Sequence, residues 1–212
     1  MTTRAQRLVL ANAMLGNFLS GLSTRTFLIG LPTVAYGLGT DILGISWALI
    51  AFQLASVSLS IVFGRLGDIY GRQRIYGLGF LTITVSAVLC GLAHNIVQLV
   101  AFRILQGVGS AMTQSAARAL AVDAMPEGSV GKAQGLMTMA FHCGFLVGPP
   151  LGGFIIDHLS WRWIFFFLVP IGVAGVALTS FRPGERAVSG RAEAHRPVDY
   201  AGALMFVALM AW

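Results

Sequence analysis

The sequence predicts an all-α polytopic membrane protein, with six transmembrane helices and the opening of a seventh. Three observations predict it. Only 10% of the 212 residues are charged and 56% are hydrophobic, whereas a soluble domain carries about 25% charged residues. Uncharged runs long enough to cross a bilayer recur along the chain. The cations are distributed unequally between the two sets of connections that these runs define. The 26 glycines fit the same class, because membrane helices tolerate glycine better than soluble ones do. A net charge of +6 and a pI near 10.2 would suit a nucleic-acid partner. That reading fails, because the cations lie in short segments between apolar runs and not on one polar face.

A hydrocarbon core of about 30 Å takes about 20 helical residues. No charge falls between Ile42 and Gly64, Ile75 and Phe102, Ala133 and Ile156, or Trp163 and Phe181. The run from Ile75 is too long for one span, and it is expected to break at Ala93-His94-Asn95. The spans are therefore placed at 8–36, 42–63, 74–92, 96–121, 131–156 and 161–181, making 1–181 one six-helix bundle. Residues 182–198, with Pro183, Gly184 and Pro197, read as a polar linker. A seventh span opens over 199–212, and a chain ending inside a span is expected to be a fragment. The first apolar stretch is too long for a cleavable leader.

Orientation follows from Lys and Arg. With the N-terminus cytoplasmic, the inner connections hold Arg4, Arg7, Arg65, Arg72, Arg74, Arg118, Lys132, Arg182, Arg186, Arg191 and Arg196, and the outer ones hold only Arg162. Arg25 and Arg103 fall inside spans. The expected location is a cell membrane (plasma or inner), crossed several times.

Three local patterns carry the functional reading. Between the second and third spans runs Gly64-Arg65-Leu66-Gly67-Asp68-Ile69-Tyr70-Gly71-Arg72-Gln73-Arg74. Its glycines permit a tight turn. Asp68 is expected near the start of the third helix, where the dipole favours an anion, or paired with a neighbouring arginine. In the fourth span Arg103, Gln106 and Gly107 share a face. A mid-span arginine costs at least about 3 kcal/mol against lipid, so Arg103 should face a watery cavity or lock neighbouring helix ends. In the fifth span Gly144, Gly148 and Gly152 form a smooth stripe, with Gly153 beside it, for close approach of a partner helix. Pro149 should bend that helix. Cys90 and Cys143 sit in apolar runs and read as packing residues.

These residues resemble three motifs of the major facilitator superfamily. The glycine-rich turn looks like motif A (G-x-L-a-D-r-x-G-r-k), the Arg103 segment like motif B (R-x-x-q-G-x-g), and the glycine-proline stripe like motif C (g-x-x-x-G-P-x-x-G-G) of its antiporters. Trp161-Arg162-Trp163-Ile164-Phe165 with Pro170-Ile171-Gly172 resembles the W-R-W-I-F…P-I-G stretch of the fourteen-helix drug:proton antiporter branch. The resemblance implies two six-helix bundles around a central cavity, each an inverted pair of three-helix repeats. It implies that Asp68, Arg72 and Arg74, framed by Gly64 and Gly71, form a cytoplasmic gate, that Arg103 takes part in coupling, and that a second bundle of the same protein completes the cavity.

One stretch departs from that branch. Its first helix usually reads L-D-x-T-I-V-N-V-A-L-P; here Ser23 stands at the aspartate position and Arg25 two residues on. The acidic residues Asp41, Asp68, Asp123, Glu127, Asp157, Glu185, Glu193 and Asp199 all fall in loops or at helix ends. Arg25 and Arg103, with Gln106, are therefore candidate substrate-binding residues, the two arginines forming a dicationic patch suited to an anion. The alternative for Arg25 is a carboxylate from the second bundle, or backbone carbonyls. His142, near mid-span, is a candidate proton carrier or a hydrogen-bonded structural group.

The expected function is secondary active transport, proton-coupled efflux of drugs or small organic molecules by alternating access. The alternatives are a transporter of an anionic metabolite and a non-transporting sensor or scaffold. No enzyme is expected: the four histidines fall on separate elements, with no metal spacing, no Ser-His-Asp set and no phosphate-binding loop. The expected partners are the bilayer, a small-molecule substrate and the proton, with no cofactor, metal or nucleic acid.

Overall fold

In the computed structural model the described residues are 3–124 and 129–180, with side chains described over 8–122 and 129–179. The linker and seventh span expected after residue 181 lie outside them. The described residues form α1 (Thr3–Gly37), α2 (Ile42–Tyr70), α3 (Arg72–Gly91), α4 (Ile96–Ala124), α5 (Val130–His158), α6 (Trp163–Phe166) and α7 (Leu168–Ser180). Short α6 and α7 together occupy the sixth span. They part at Phe167 because Pro170 has no N–H to offer the carbonyl four residues back, at Phe166.

By length and composition α2, α3, α4 over Ile96–Val122, and α5 can cross a membrane. The 35-residue α1 is less apolar. It carries Asn12, Ser20, Ser23 and Thr26, all buried inside the bundle. Its polarity is spent inward, so sequence hydropathy understates it as a span.

The connections follow local chemistry. Gly39 takes φ +62 after α1, and the Asp41 carboxylate caps α2 by accepting from Gly44 N at 2.8 Å. Asn95 caps α4 by accepting from Gln98 N at 2.9 Å, while the Gln98 side chain accepts from His94 N. The break expected at 93–95 is therefore real.

Two helix pairs dominate the packing, α1 along α5 and α2 along α4, with α3 lying on α4 and α7. The inverted three-helix repeats that the resemblance implies would relate α1 to α4 and α2 to α5, which makes these two pairs equivalent. Each carries the same device. A Cβ on Gly21 of α1 would strike the Phe141 carbonyl of α5, and one on Gly107 of α4 would strike the Phe52 carbonyl of α2. The stripe on α5 completes the first seam. Gly144 abuts the Phe18 carbonyl, and a Cβ on Gly148 would lie 2.7 Å from the Arg25 Cβ. One on Gly152 would lie 3.2 Å from Thr26. Thr26 Oγ1 also donates to the Gly148 carbonyl at 3.4 Å. Gly153 faces open space.

Two apolar clusters fill the bundle. One gathers Ala13, Leu19, Leu22, Phe80, Met112 and Met137; the other gathers Phe27, Val34, Ile45, Cys90, Leu99 and Trp161. On α1 and α4 the boundary between them is polar: Ser23 and Thr26 on α1, and Arg103, Gln106 and Ser110 on α4, are all buried. Toward the second cluster, Arg162 Nη2 donates to the Ala93 carbonyl at 3.1 Å and ties the α5–α6 turn to the α3–α4 turn. Cys90 is buried and Cys143 exposed, both as free thiols.

Gly144→Ala is expected to destabilise the protein by about 1–3 kcal/mol, as overpacking does, whereas Gly153→Ala should be neutral or gain up to about 1 kcal/mol in helix propensity. Thermal unfolding in detergent compares the two.

Candidate functional site

The polar boundary centres on Arg103. Its side chain is 0% exposed. Nη1 donates to Gln106 Oε1 at 2.9 Å, the i, i+3 partner that helical spacing supplies. The guanidinium carbon lies 3.7 Å from the Phe27 ring centroid, 5.0 Å from that of Phe52 and 5.6 Å from that of Phe165. Rings from α1, α2 and α6 thus enclose a cation from α4. Nε, Nη2 and Gln106 Nε2 have no hydrogen-bond partner. Ring faces partly replace lost hydration, since the quadrupole of a benzene ring attracts a cation. One turn along, Ser110 Oγ accepts from Gln114 Nε2 at 2.8 Å and lies 3.5 Å from Ser20 Oγ.

The two arginines do not form a shared patch. Arg103 is sealed inside the bundle, whereas Arg25 is half-exposed on the α1–α5 seam. The Arg25 guanidinium carbon sits 3.6 Å from the Phe145 ring centroid. No ion pair or side-chain hydrogen bond joins Arg25 to any described residue. The reason for the separation is packing: Gly148 admits Arg25 Cβ against α5, while Arg103 is drawn to the rings of α1, α2 and α6. Gln106, 1% exposed, belongs to the sealed group.

His142 is exposed on α5. Its ring stands edge-on to Phe145, centroids 6.3 Å apart, and to Phe141, 5.5 Å apart. No carboxylate with a described side chain lies mid-span: Asp41 caps α2, Asp68 sits in the last turn of α2 and Asp157 in that of α5. No group of three metal-ligating side chains occurs among the described residues.

The glycine-rich segment is a helix end and not an open loop. α2 runs through Gly64 and Gly67 to Tyr70, and one residue, Gly71 at φ +99, turns the chain into α3. Of the two surroundings expected for Asp68, the pair with a neighbouring arginine forms and the place near the start of the third helix does not, because Asp68 stands at a helix C-terminus. There the dipole disfavours an anion, and Arg72 compensates: Nη2 and Nε both reach Asp68 Oδ1 at 2.8 Å. Arg72 Nη1 also donates to the Ala119 carbonyl of α4 at 3.4 Å. Arg74 is exposed. In α5 the helix continues through Pro149 and Pro150.

Sequence spacing did not reveal the rings. A mid-span guanidinium without an acid in reach implies aromatic company, and Phe165 stands in the W-R-W-I-F stretch. Phe27, Phe52 and Phe145 have no local signature, because they reach their arginines only across helix pairs.

The family model described as Major Facilitator Superfamily matches residues 13–211. The chain belongs to the major facilitator superfamily. It is an integral membrane protein of a transporter family whose members are not enzymes. Among curated relatives it is 33% identical over 171 residues to the riboflavin transporter RibZ of Clostridioides difficile (strain 630), covering 81% of this chain and 38% of that protein. It is 28% identical over 169 residues to the multidrug transporter protein MdtP of Bacillus subtilis (strain 168), covering 80% of this chain and 31% of that one. The chain thus spans about a third of their length. A solved bacterial homologue of the human lysosomal transporter Spinster, inward-facing and unoccupied, superposes with a TM-score of 0.70 at 19% identity. It covers 85% of this chain and 43% of that one, and shares the fold.

Arg103→Met should be tolerated to within about 1.5 kcal/mol, because an apolar isostere removes an incompletely satisfied charge. Arg103→Lys should cost about 3 kcal/mol or more, since it keeps the charge and loses the planar stacking. Denaturation in detergent, followed by tryptophan fluorescence, reads both.

Proposed function

We propose that this chain serves proton-coupled efflux of drugs or small organic molecules by alternating access, from a cell membrane (plasma or inner) with its N-terminus cytoplasmic. The observation that carries the reading is the α1–α5 pair: a glycine seam holds two helices as one unit, and that unit presents Arg25 and His142 deep in a span without burying them. Lipid rejects a charge at that depth, so this face borders a watery cavity or protein. Alternating access moves a bundle or repeat as a body about a central site, and a tightly seamed helix pair moves with the body it belongs to. The multidrug relative MdtP supports an organic substrate. His142 supports proton coupling, because its imidazole lies exposed on α5 where no described carboxylate does. Arg103 holds the aromatic enclosure that fixes the opposite side of α1. Asp68, Arg72 and Arg74 form the hinge-side gate at the α2–α3 junction.

Reconstitution of the intact protein in liposomes tests this. A pH gradient should drive uptake of lipophilic cations or carboxylate drugs, and a protonophore should abolish it. His142→Gln should abolish the response of uptake to the pH gradient, while exchange without a gradient persists. Full gradient-driven rates in that variant would remove His142 as the carrier. Asp68→Asn should slow transport yet cost at most about 1 kcal/mol in stability, because its pair with Arg72 is solvent-exposed.

A second reading, transport of an anionic metabolite, is favoured by one observation: Arg25 has no carboxylate partner among the described residues. Arg103 does not share that role in the conformation seen, being sealed.

A further inference from the structure

We infer that Arg25, Phe145 and His142 form a recognition site for planar aromatic monoanions, of which an aromatic carboxylate is the simplest. The inference rests on the transport reading and names the substrate class of its α1–α5 face. Three features lead to it.

The first is the unmatched charge. Arg25 is half-buried, offers five N–H donors in a planar fork, and meets no acceptor among the described residues. It lies twelve residues from Gly37 on α1, about 18 Å at 1.5 Å per residue. His142 lies twelve residues from Val130 on α5, again about 18 Å. Neither is at the depth of a lipid headgroup, so the anion that completes Arg25 is a molecule or group inside the protein.

The second is the ring geometry. The guanidinium carbon lies over Phe145, 3.6 Å from the ring centroid, which leaves N–H groups at its outer edge for a bidentate carboxylate. Phe141 stacks beside Phe145 with centroids 6.0 Å apart, and the exposed His142 edge closes the cluster. An aromatic ligand attached to that carboxylate meets faces and edges at ordinary stacking distances. His142 supplies a hydrogen bond to a ring substituent or the second carboxylate oxygen.

The third is charge number. Arg103 is withdrawn behind Phe27, so with His142 neutral the mid-span part of this face carries one cation among the described residues. It matches one negative charge; a dianion would bring a second charge into the site with nothing to meet it.

The intact protein in detergent at pH 7.5, titrated calorimetrically with 2-naphthoate, tests this. Neutral 2-naphthalenemethanol, ring-free acetate and the cation tetraphenylphosphonium serve as comparisons. We expect 2-naphthoate to bind more tightly than acetate through ring stacking, and at least about tenfold more tightly than 2-naphthalenemethanol, the value of a charge-assisted hydrogen bond. Arg25→Gln should remove that advantage. Arg25→Lys should restore it only in part, since an ammonium cannot stack and fork together. Phe145→Leu should weaken 2-naphthoate by a similar factor while leaving acetate unchanged. Absence of 2-naphthoate binding, or equal binding in Arg25→Gln, overturns the proposal, and is the result expected if a carboxylate of the protein already occupies Arg25. If Arg25→Gln does not fold, the Phe145→Leu comparison decides alone. Tetraphenylphosphonium transport without 2-naphthoate binding would sink the site and leave transport standing. Binding of 2-naphthoate with no transport of any probe in liposomes would keep the site and sink the transport reading.

Discussion

A positive charge in the middle of a membrane domain has no water to lean on, and the way Arg103 is housed organises the bundle around it. Its carrier is α4, yet the groups that accept it come from α1, α2 and α6, with a single hydrogen bond from its own helix. Four elements are thereby referenced to one side chain. If any of them slid by a turn, a ring face would be replaced by aliphatic carbon and the cation would be stranded. The polar boundary between the two apolar clusters is thus a register mark, which uniform apolar packing cannot provide.

Close helix approach supplies the complement. In an apolar solvent nothing hydrophobic draws helices together, and contact between backbones does that work. The α1–α5 and α2–α4 pairs meet through glycines that let a phenylalanine carbonyl sit where a Cβ would be. That the same contact appears in both pairs is what an inverted repeat requires. The pairs then diverge. On α1 the seam goes on past Gly148, where Arg25 lies against α5; on α4 the polar face turns inward. One repeat became a cage and the other a surface.

Much of this was legible in the amino-acid order. Long uncharged runs and the break at 93–95 marked the six spans among the described residues and their order, because each depends on residues adjacent in the chain. Other things were not legible. The first span was, but not that its Asn12, Ser20 and Ser23 are buried, since inward polarity and outward polarity read alike in a sequence. Of the two surroundings expected for Asp68, the pair with a neighbouring arginine forms, while a place at the start of the third helix does not, because the glycine-rich segment suggests a loop and forms one residue of turn. The partners of both arginines are rings from other helices, and contacts across the bundle leave no mark in local spacing. That is also why Arg25 and Arg103 read as one patch when they occupy separate surroundings.

The α2–α3 junction has a consequence for how the chain tolerates change in length. Gly71 alone separates Tyr70 from Arg72. Each residue of an α-helix advances the azimuth by about 100°. One residue added on either side of Gly71 would therefore swing the buried face of α3, with Ile75, Tyr76, Gly79 and Phe80, a quarter turn or more away from α4 and α7. The four-residue turn between α1 and α2 could absorb such an addition in its own curvature. Insertions and deletions should thus be tolerated in the α1–α2 turn and excluded from the α2–α3 corner, leaving that corner as the point from which the lengths of both helices are measured.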